Sequence, residues 1–165
     1  MKLLIKMSYD GQNFNGWQCQ QSGRTVQDVL EESLKRLTGI EIKVCGSGRT
    51  DSGVHALAQY AHFEFPFDIN PDKLVLVLNA KLPPDLKIIS ADLVKPDFHA
   101  RYSACSRTYK YLLTNERTPF NRSYKSFIPK LNYSLEQILH YLPIFIGEHD
   151  FTLFSKVNPD LTNRL

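Results

Sequence analysis

The chain has few cysteines, no long apolar run and little net charge, and each shortage removes a class of protein. Its three cysteines, Cys19, Cys45 and Cys105, are odd in number and scattered without paired spacing. That pattern suggests neither a disulfide framework nor a zinc site, so reduced thiols and no metal are the reading. Lys2 and Lys6 flank only three consecutive apolar residues at the start, too few for the apolar part of a secretory leader. No run approaches membrane-spanning length, so the chain reads as cytoplasmic with no membrane partner. A formal charge of +3, from 20 basic and 17 acidic residues, is too small by itself to demonstrate a polyanionic partner. What is present is 165 residues with 42% hydrophobic content. That suits one globular domain with a real core, since domains commonly hold about 100 to 200 residues.

Glycine is also scarce, eight in all, yet three fall within Gly46-Ser47-Gly48-Arg49-Thr50-Asp51-Ser52-Gly53-Val54-His55. Glycines permit positive φ and close approach, so a loop of this kind can present Arg49 and Asp51 outward at a fixed angle, as a catalytic turn does. A dinucleotide-binding fingerprint beginning at Gly46 requires glycine where Asp51 stands, and a phosphate-binding P-loop requires a Gly-Lys-Ser/Thr ending. Neither is present. The plain alternatives are a turn or helix-capping role for Asp51 and a surface salt bridge for Arg49.

Charge is unevenly placed. Lys95, Arg101, Arg107, Lys110, Arg117, Arg122, Lys125 and Lys130 face only Asp97 and Glu116 in their stretch, leaving 12 basic and 15 acidic residues elsewhere. Phe98, Tyr102, Tyr109, Tyr111, Phe120, Tyr124 and Phe127 interleave with these cations. Such a mixture suits phosphate contacts with base stacking, or equally a solvated strand face over core aromatics; composition does not choose between them.

The pattern predicts a strand over Lys2 to Tyr9, then a polar loop to Gly23. Thr25 with Asp28 caps a helix whose apolar positions Val26, Val29, Leu30, Leu34 and Leu37 recur until Gly39. Strands are expected over Ile40 to Cys45, Leu57 to Phe65 and Leu86 to Val94, and Asn70-Pro71-Asp72 opens a helix to about Lys81. Strand, helix, strand, strand, helix, strand is the order of a ferredoxin-like split βαβ fold, α+β, with helices on one face of an antiparallel sheet. A long strand over Tyr102 to Thr114 should follow. Ser134 with Gln137 then caps a last helix with an apolar stripe of Leu135, Ile138, Leu139 and Leu142. Trp17 and Phe14 in the first loop read as packing anchors, and Tyr111 as a core residue.

Gly46 to Ala56 resembles the characteristic segment of the tRNA pseudouridine synthase A family. Tyr9-Asp10-Gly11, Phe14, Gly16-Trp17-Gln18 with Gln20, and Thr25-Val26-Gln27 resemble its N-terminal block. Asn79 to Pro83, Phe98-His99-Ala100-Arg101, Tyr109-Lys110-Tyr111 and Gly147 to Phe151 follow in the family's order. The resemblance spans nearly the whole chain. It implies a pseudouridine synthase fold in which residues 1–100 form the catalytic half carrying the glycine loop. Residues 101–165 supply a continuing strand, the basic segment, a helix and the start of a second half.

It also implies that uridine in the anticodon stem-loop of tRNA, at positions 38 to 40, is isomerised to pseudouridine without a cofactor by a homodimer. Asp51 becomes the nucleophile, attacking either ribose C1′ or uracil C6. Arg49 assists base flipping, and Tyr109 packs on the target uracil. Arg101, Arg107, Lys110 and Arg122 are the expected RNA contacts, with ordering of its loop the alternative role for Arg101. A metal site of Asp51, His55 and His99 is the weaker alternative, because the histidines lack paired helical spacing. Family members run longer, so a second half with a cation for the aspartate is expected beyond Leu165. A catalytically silent RNA-binding module of the same fold is the competing function.

Overall fold

A computed structural model describes residues 1–21, 23–129 and 133–154. It divides into two compact units, Met1–Tyr109 and one beginning at Lys110.

The first unit is a mixed α and β unit built on β1 (Lys2–Tyr9). Leu3, Ile5, Met7 and Tyr9 are buried while the alternate residues are half-buried, the period of two expected of a strand. β1 lies between β3 (Ala56–Glu64) and β4 (Leu86–Leu93), antiparallel to both, and β2 (Cys45–Gly46) flanks β3. The order is β2-β3-β1-β4. A bulge shifts register between Lys6 and Met7, so that Lys6 faces Ser90 but Met7 faces Ile88. Ile89 is the extra residue, and the buried series in β4 passes from Leu86 and Ile88 to Ala91.

One face of the sheet shares a core with two helices, α1 (Val26–Thr38) and α2 (Pro71–Asn79). Val26, Leu30 and Leu34 of α1 and Leu74 and Leu78 of α2 are fully buried there. Each such side chain contributes about 1.5 to 3 kcal/mol. The ends of α1 are set locally: the Thr25 side chain accepts from Asp28 N, and Gly39 closes the helix at φ 75° with its N–H donated to Lys35 O. Asn70 caps α2 by accepting from Asp72 N and Lys73 N, with Pro71 as its first residue. At the far end of α2, the Asn79 amide donates to Ile88 O and accepts from Ile88 N, occupying the outer edge of β4 at that point.

Two expected strands are largely absent. In the segment from Ile40 to Cys45 only Cys45 pairs, although Ile42 and Val44 are buried as the alternation requires. The backbone of Val44 is bonded instead by side chains of α1: its N–H donates to Glu31 Oε1, and its carbonyl accepts from Gln27 Nε2. The Tyr102 to Thr114 segment contributes only β5 (Leu113–Thr114), which pairs in parallel with β6 (Ser126–Phe127) in the second unit. With no strand beside most of 102–112 among the described residues, nearly all of that segment is exposed. Tyr111 is 81% exposed, which overturns its assignment to the core.

The second unit also holds α3 (Leu135–Tyr141), where Ser134 and Gln137 form the expected reciprocal capping box. Leu135, Leu139 and Leu142 of its stripe are exposed among the described residues. Lys130 of the basic segment lies outside them.

Candidate active site

The loop from Gly46 to His55 is held against the first loop of the chain. A side chain at Gly46 would meet the Trp17 ring at 2.5 Å, so glycine there is what lets the indole pack flat on the backbone. Trp17 and Phe14 are both buried, as packing anchors should be. Phe14 O accepts from Gly53 N at 3.2 Å and from Ser52 Oγ at 3.3 Å, joining the two loops again beyond Asp51.

Thr50 is the pivot. Its carbonyl accepts from Trp17 N at 2.9 Å, and its hydroxyl bonds to the Tyr9 hydroxyl, also at 2.9 Å. Gly16, at φ 84°, comes so close that a Cβ would lie 2.6 Å from that carbonyl. Pinning Thr50 inward by both side chain and backbone leaves its neighbours, Arg49 and Asp51, exposed. Burial raises the Tyr9 pKa, so the phenol remains neutral and available to this bond.

Arg49, Thr50, Asp51 and Ser52 line a cavity of about 500 Å³ with Trp17 and the Gln18 to Gln20 segment. Neither the Asp51 carboxylate nor the Arg49 guanidinium has a hydrogen-bond or ion-pair partner among the described residues. A carboxylate and a guanidinium thus share one cavity uncommitted, able to meet a reacting atom and a phosphate or base plane. Cys19 lies in the same wall. Burial, with Asp28 and Glu31 nearby, pushes its thiol up to about 11.

The remaining predicted residues are dispersed. Tyr109, 70% exposed, is the last residue of the first unit and does not line this cavity. Arg107 donates to Ser47 O at 3.0 Å, so its guanidinium lies along the glycine loop. Arg101 is exposed, 6.0 Å from the Tyr102 ring. Lys110 and Arg122 are exposed in the second unit. The alternative metal set is not assembled among the described residues: His55 Nδ1 accepts from Gly11 N and lies 3.0 Å from Asp10 Oδ1, whereas His99 lies beside Cys45 and His62.

Sequence reasoning missed Thr50 as the anchor, and it missed Arg24. The Arg24 guanidinium makes two 2.7 Å bonds to Asp85 and lies 4.0 Å over the Phe14 ring, fastening the first loop to the start of β4. No local pattern signals either contact. It also missed the grouping of Cys45, His62 and His99, which strand pairing creates.

A family model described as tRNA pseudouridine synthase matches residues 5–103. A tRNA pseudouridine synthase A of Maridesulfovibrio salexigens is 45% identical over 165 residues, covering 98% of this chain and 59% of the relative. Proteins of the same name from Lacticaseibacillus casei and a Thermoanaerobacter species are 42% and 38% identical, with 62% and 67% of their lengths covered. The chain therefore spans about three-fifths to two-thirds of the length of these curated relatives. With the family model matched over more than half of its residues, the chain belongs to the tRNA pseudouridine synthase family.

Proposed function

We propose that this chain carries the catalytic carboxylate of a tRNA pseudouridine synthase, converting uridine to pseudouridine in an anticodon stem-loop, at positions 38 to 40. The observation that supports it best is the pairing of Asp51 and Arg49 in one cavity on either side of the pinned Thr50. In the reaction the N1 to C1′ bond breaks, C5 bonds to C1′, the C5 proton leaves and N1 regains one. No oxidant, reductant or water is consumed, so the chemistry requires no cofactor.

Asp51 is the nucleophile, at either ribose C1′ or uracil C6, and its exposure leaves room for the base. A target base must leave its stack to reach the carboxylate, and Arg49 offers a planar cation to replace it or to hold the adjoining phosphate. Tyr109 packs on the uracil once RNA is bound, while Arg101, Arg107, Lys110 and Arg122 contact the RNA backbone. The order β2-β3-β1-β4, with α1 and α2 in one core, supports a ferredoxin-like split arrangement for the catalytic half, residues 1–100. Residues 101–165 extend it. A cytoplasmic homodimer acting on tRNA completes the proposal, on the strength of the family alone.

The exposure of Tyr109 and its absence from the Asp51 cavity favour one competing reading, a silent RNA-binding module. Stem-loop RNA carrying tritium at uracil C5 separates the two. The synthase releases tritium to water, and Asp51→Asn abolishes release while binding the RNA with nearly unchanged affinity. Substantial turnover by the Asp51→Asn protein overturns the nucleophile assignment, and tight binding without release by the unaltered protein favours the module.

A further inference from the structure

His62 lies on the face of β3 turned away from the helices, between the core residues Ala61 and Phe63, yet it is only 8% exposed. The turn after β4 covers it. Ala100 N donates to His62 Nδ1 at 3.1 Å, the His99 ring meets it edge-on at 4.8 Å, and the Phe98 ring does so at 6.2 Å. Lys2 reaches the same turn from β1, donating to Pro96 O and, at 3.2 Å, to Phe98 O. From here the chain runs back to the glycine loop, where Arg107 meets Ser47 O.

One atom of each of Cys45, His62 and His99 lies within 4.8 Å of the others, a spacing that invites a metal ion. The hydrogen bonds argue otherwise. His62 Nδ1 faces the N–H of Ala100, and His99 Nδ1 faces the N–H of Arg101 at 3.3 Å. A nitrogen that accepts from a backbone N–H carries no proton, so each neutral ring holds its proton on Nε2. That leaves no Nε2 lone pair for a metal. His99 Nε2 instead lies 3.6 Å from Cys45 Sγ, within reach of a hydrogen bond to the sulfur.

We infer that His62 is a positioning residue, whose neutral ring latches the Phe98 to Tyr102 turn onto the sheet and so carries Arg107 to the glycine loop. Protonating Nδ1 would set an N–H against the Ala100 N–H and open the latch. The groups around the ring are Lys2 on β1, Cys45 on β2, Tyr60 and Glu64 on β3, and His99 in the turn. Burial first, then the neighbouring His99 and Lys2, lower the His62 pKa from its ordinary value, against the opposing pull of Glu64 and of a hydrogen bond with the Cys45 backbone. The neutral latch is therefore complete above about pH 6.5 and is lost as pH falls through the depressed value.

The test reads amide exchange and ring tautomers rather than turnover, so its failure and the failure of the proposed activity are separable. Exchange rates are corrected for the intrinsic effect of pH. In His62→Leu, the Ala100 amide should lose roughly fivefold to tenfold of its protection, the size of one net hydrogen bond, while Ile5 and Ala61 keep theirs. His62→Asn keeps an acceptor where Nδ1 stood and should restore most of that protection. Acidifying the unaltered protein should reproduce the loss seen in His62→Leu, whereas His62→Asn should resist acid. Long-range nitrogen spectra of both rings should show bare Nδ1 and protonated Nε2. Unchanged Ala100 protection in His62→Leu overturns the latch, as does failure of His62→Asn to rescue it. Protonated Nδ1 together with a thiolate-to-cobalt absorption band on adding cobalt(II) makes the cluster a metal site and overturns it equally.

Discussion

The hydroxyls of Tyr9 and Thr50, 41 residues apart, meet at 2.9 Å and tie the end of the central strand to the residue between Arg49 and Asp51. Tyr9 sits where β1 shifts register against β3, with Met7 opposite Gln59 and Tyr9 opposite Ala56. From beside this irregularity its hydroxyl reaches the glycine loop. Tyr9 is thus both a core residue and the rigid stop behind the candidate carboxylate.

Tyr9→Phe keeps the ring and removes that stop. Unfolding in urea should show a loss of about 0.5 to 1.5 kcal/mol, the net value of one hydrogen bond. If Asp51 acts as proposed, kcat should fall more than stability predicts while the RNA affinity holds, because a loosened Thr50 lets Asp51 wander. Equal effects on kcat and on RNA affinity would show that Thr50 does not set the carboxylate.

Gly46→Ala tests the other support. Its Cβ would press into the Trp17 ring at 2.5 Å, and Trp17 is enclosed by the core. Overpacking of this kind costs about 1 to 3 kcal/mol. Thermal unfolding should show the loss together with a shift in tryptophan fluorescence, which reports Trp17 unambiguously because it is the only tryptophan. An unshifted emission with full stability would mean that the loop yields, and that Trp17 does not hold it.

How much of this is written locally differs by element. Thr25 and Gly39 bound α1, and Asn70 and Pro71 open α2, because caps act within a few residues and are visible as such. The glycine loop is legible by composition, and Arg49 and Asp51 do face outward. What holds them so is not legible, since Thr50 takes its partners from Tyr9 and Trp17, far back in the chain. Residues 40–45 alternate like a strand, but side chains from α1 bond the Val44 backbone, and alternation does not distinguish such partners from a neighbouring strand. The 102–112 segment fails for the same reason: aromatic alternation names two faces without naming what covers them. Cys45, His62 and His99 lie far apart in sequence and meet only through the β2 to β3 pairing and the turn after β4.

The basic segment makes the last prediction, and the structure changes which residues should carry it. Arg107 cannot serve as a simple probe of phosphate binding, because it donates to Ser47 O and its removal would also disturb the glycine loop. Arg101 lies in the turn latched by His62, so its loss has a similar ambiguity. Lys110 and Arg122 are exposed in the second unit and carry neither constraint among the described residues, so they are the cleaner pair. Each phosphate contact adds about 0.7 to 0.9 to the slope of log affinity against log salt, through release of a bound counterion. Changing both to Gln should lower the slope for stem-loop RNA by about 1.4 to 1.8 and leave the urea midpoint within experimental error. The loss should be uniform across stem-loops of different sequence, since phosphate contacts carry no base information. A slope unchanged in the double variant would mean that this segment is a solvated face and that the RNA lies elsewhere.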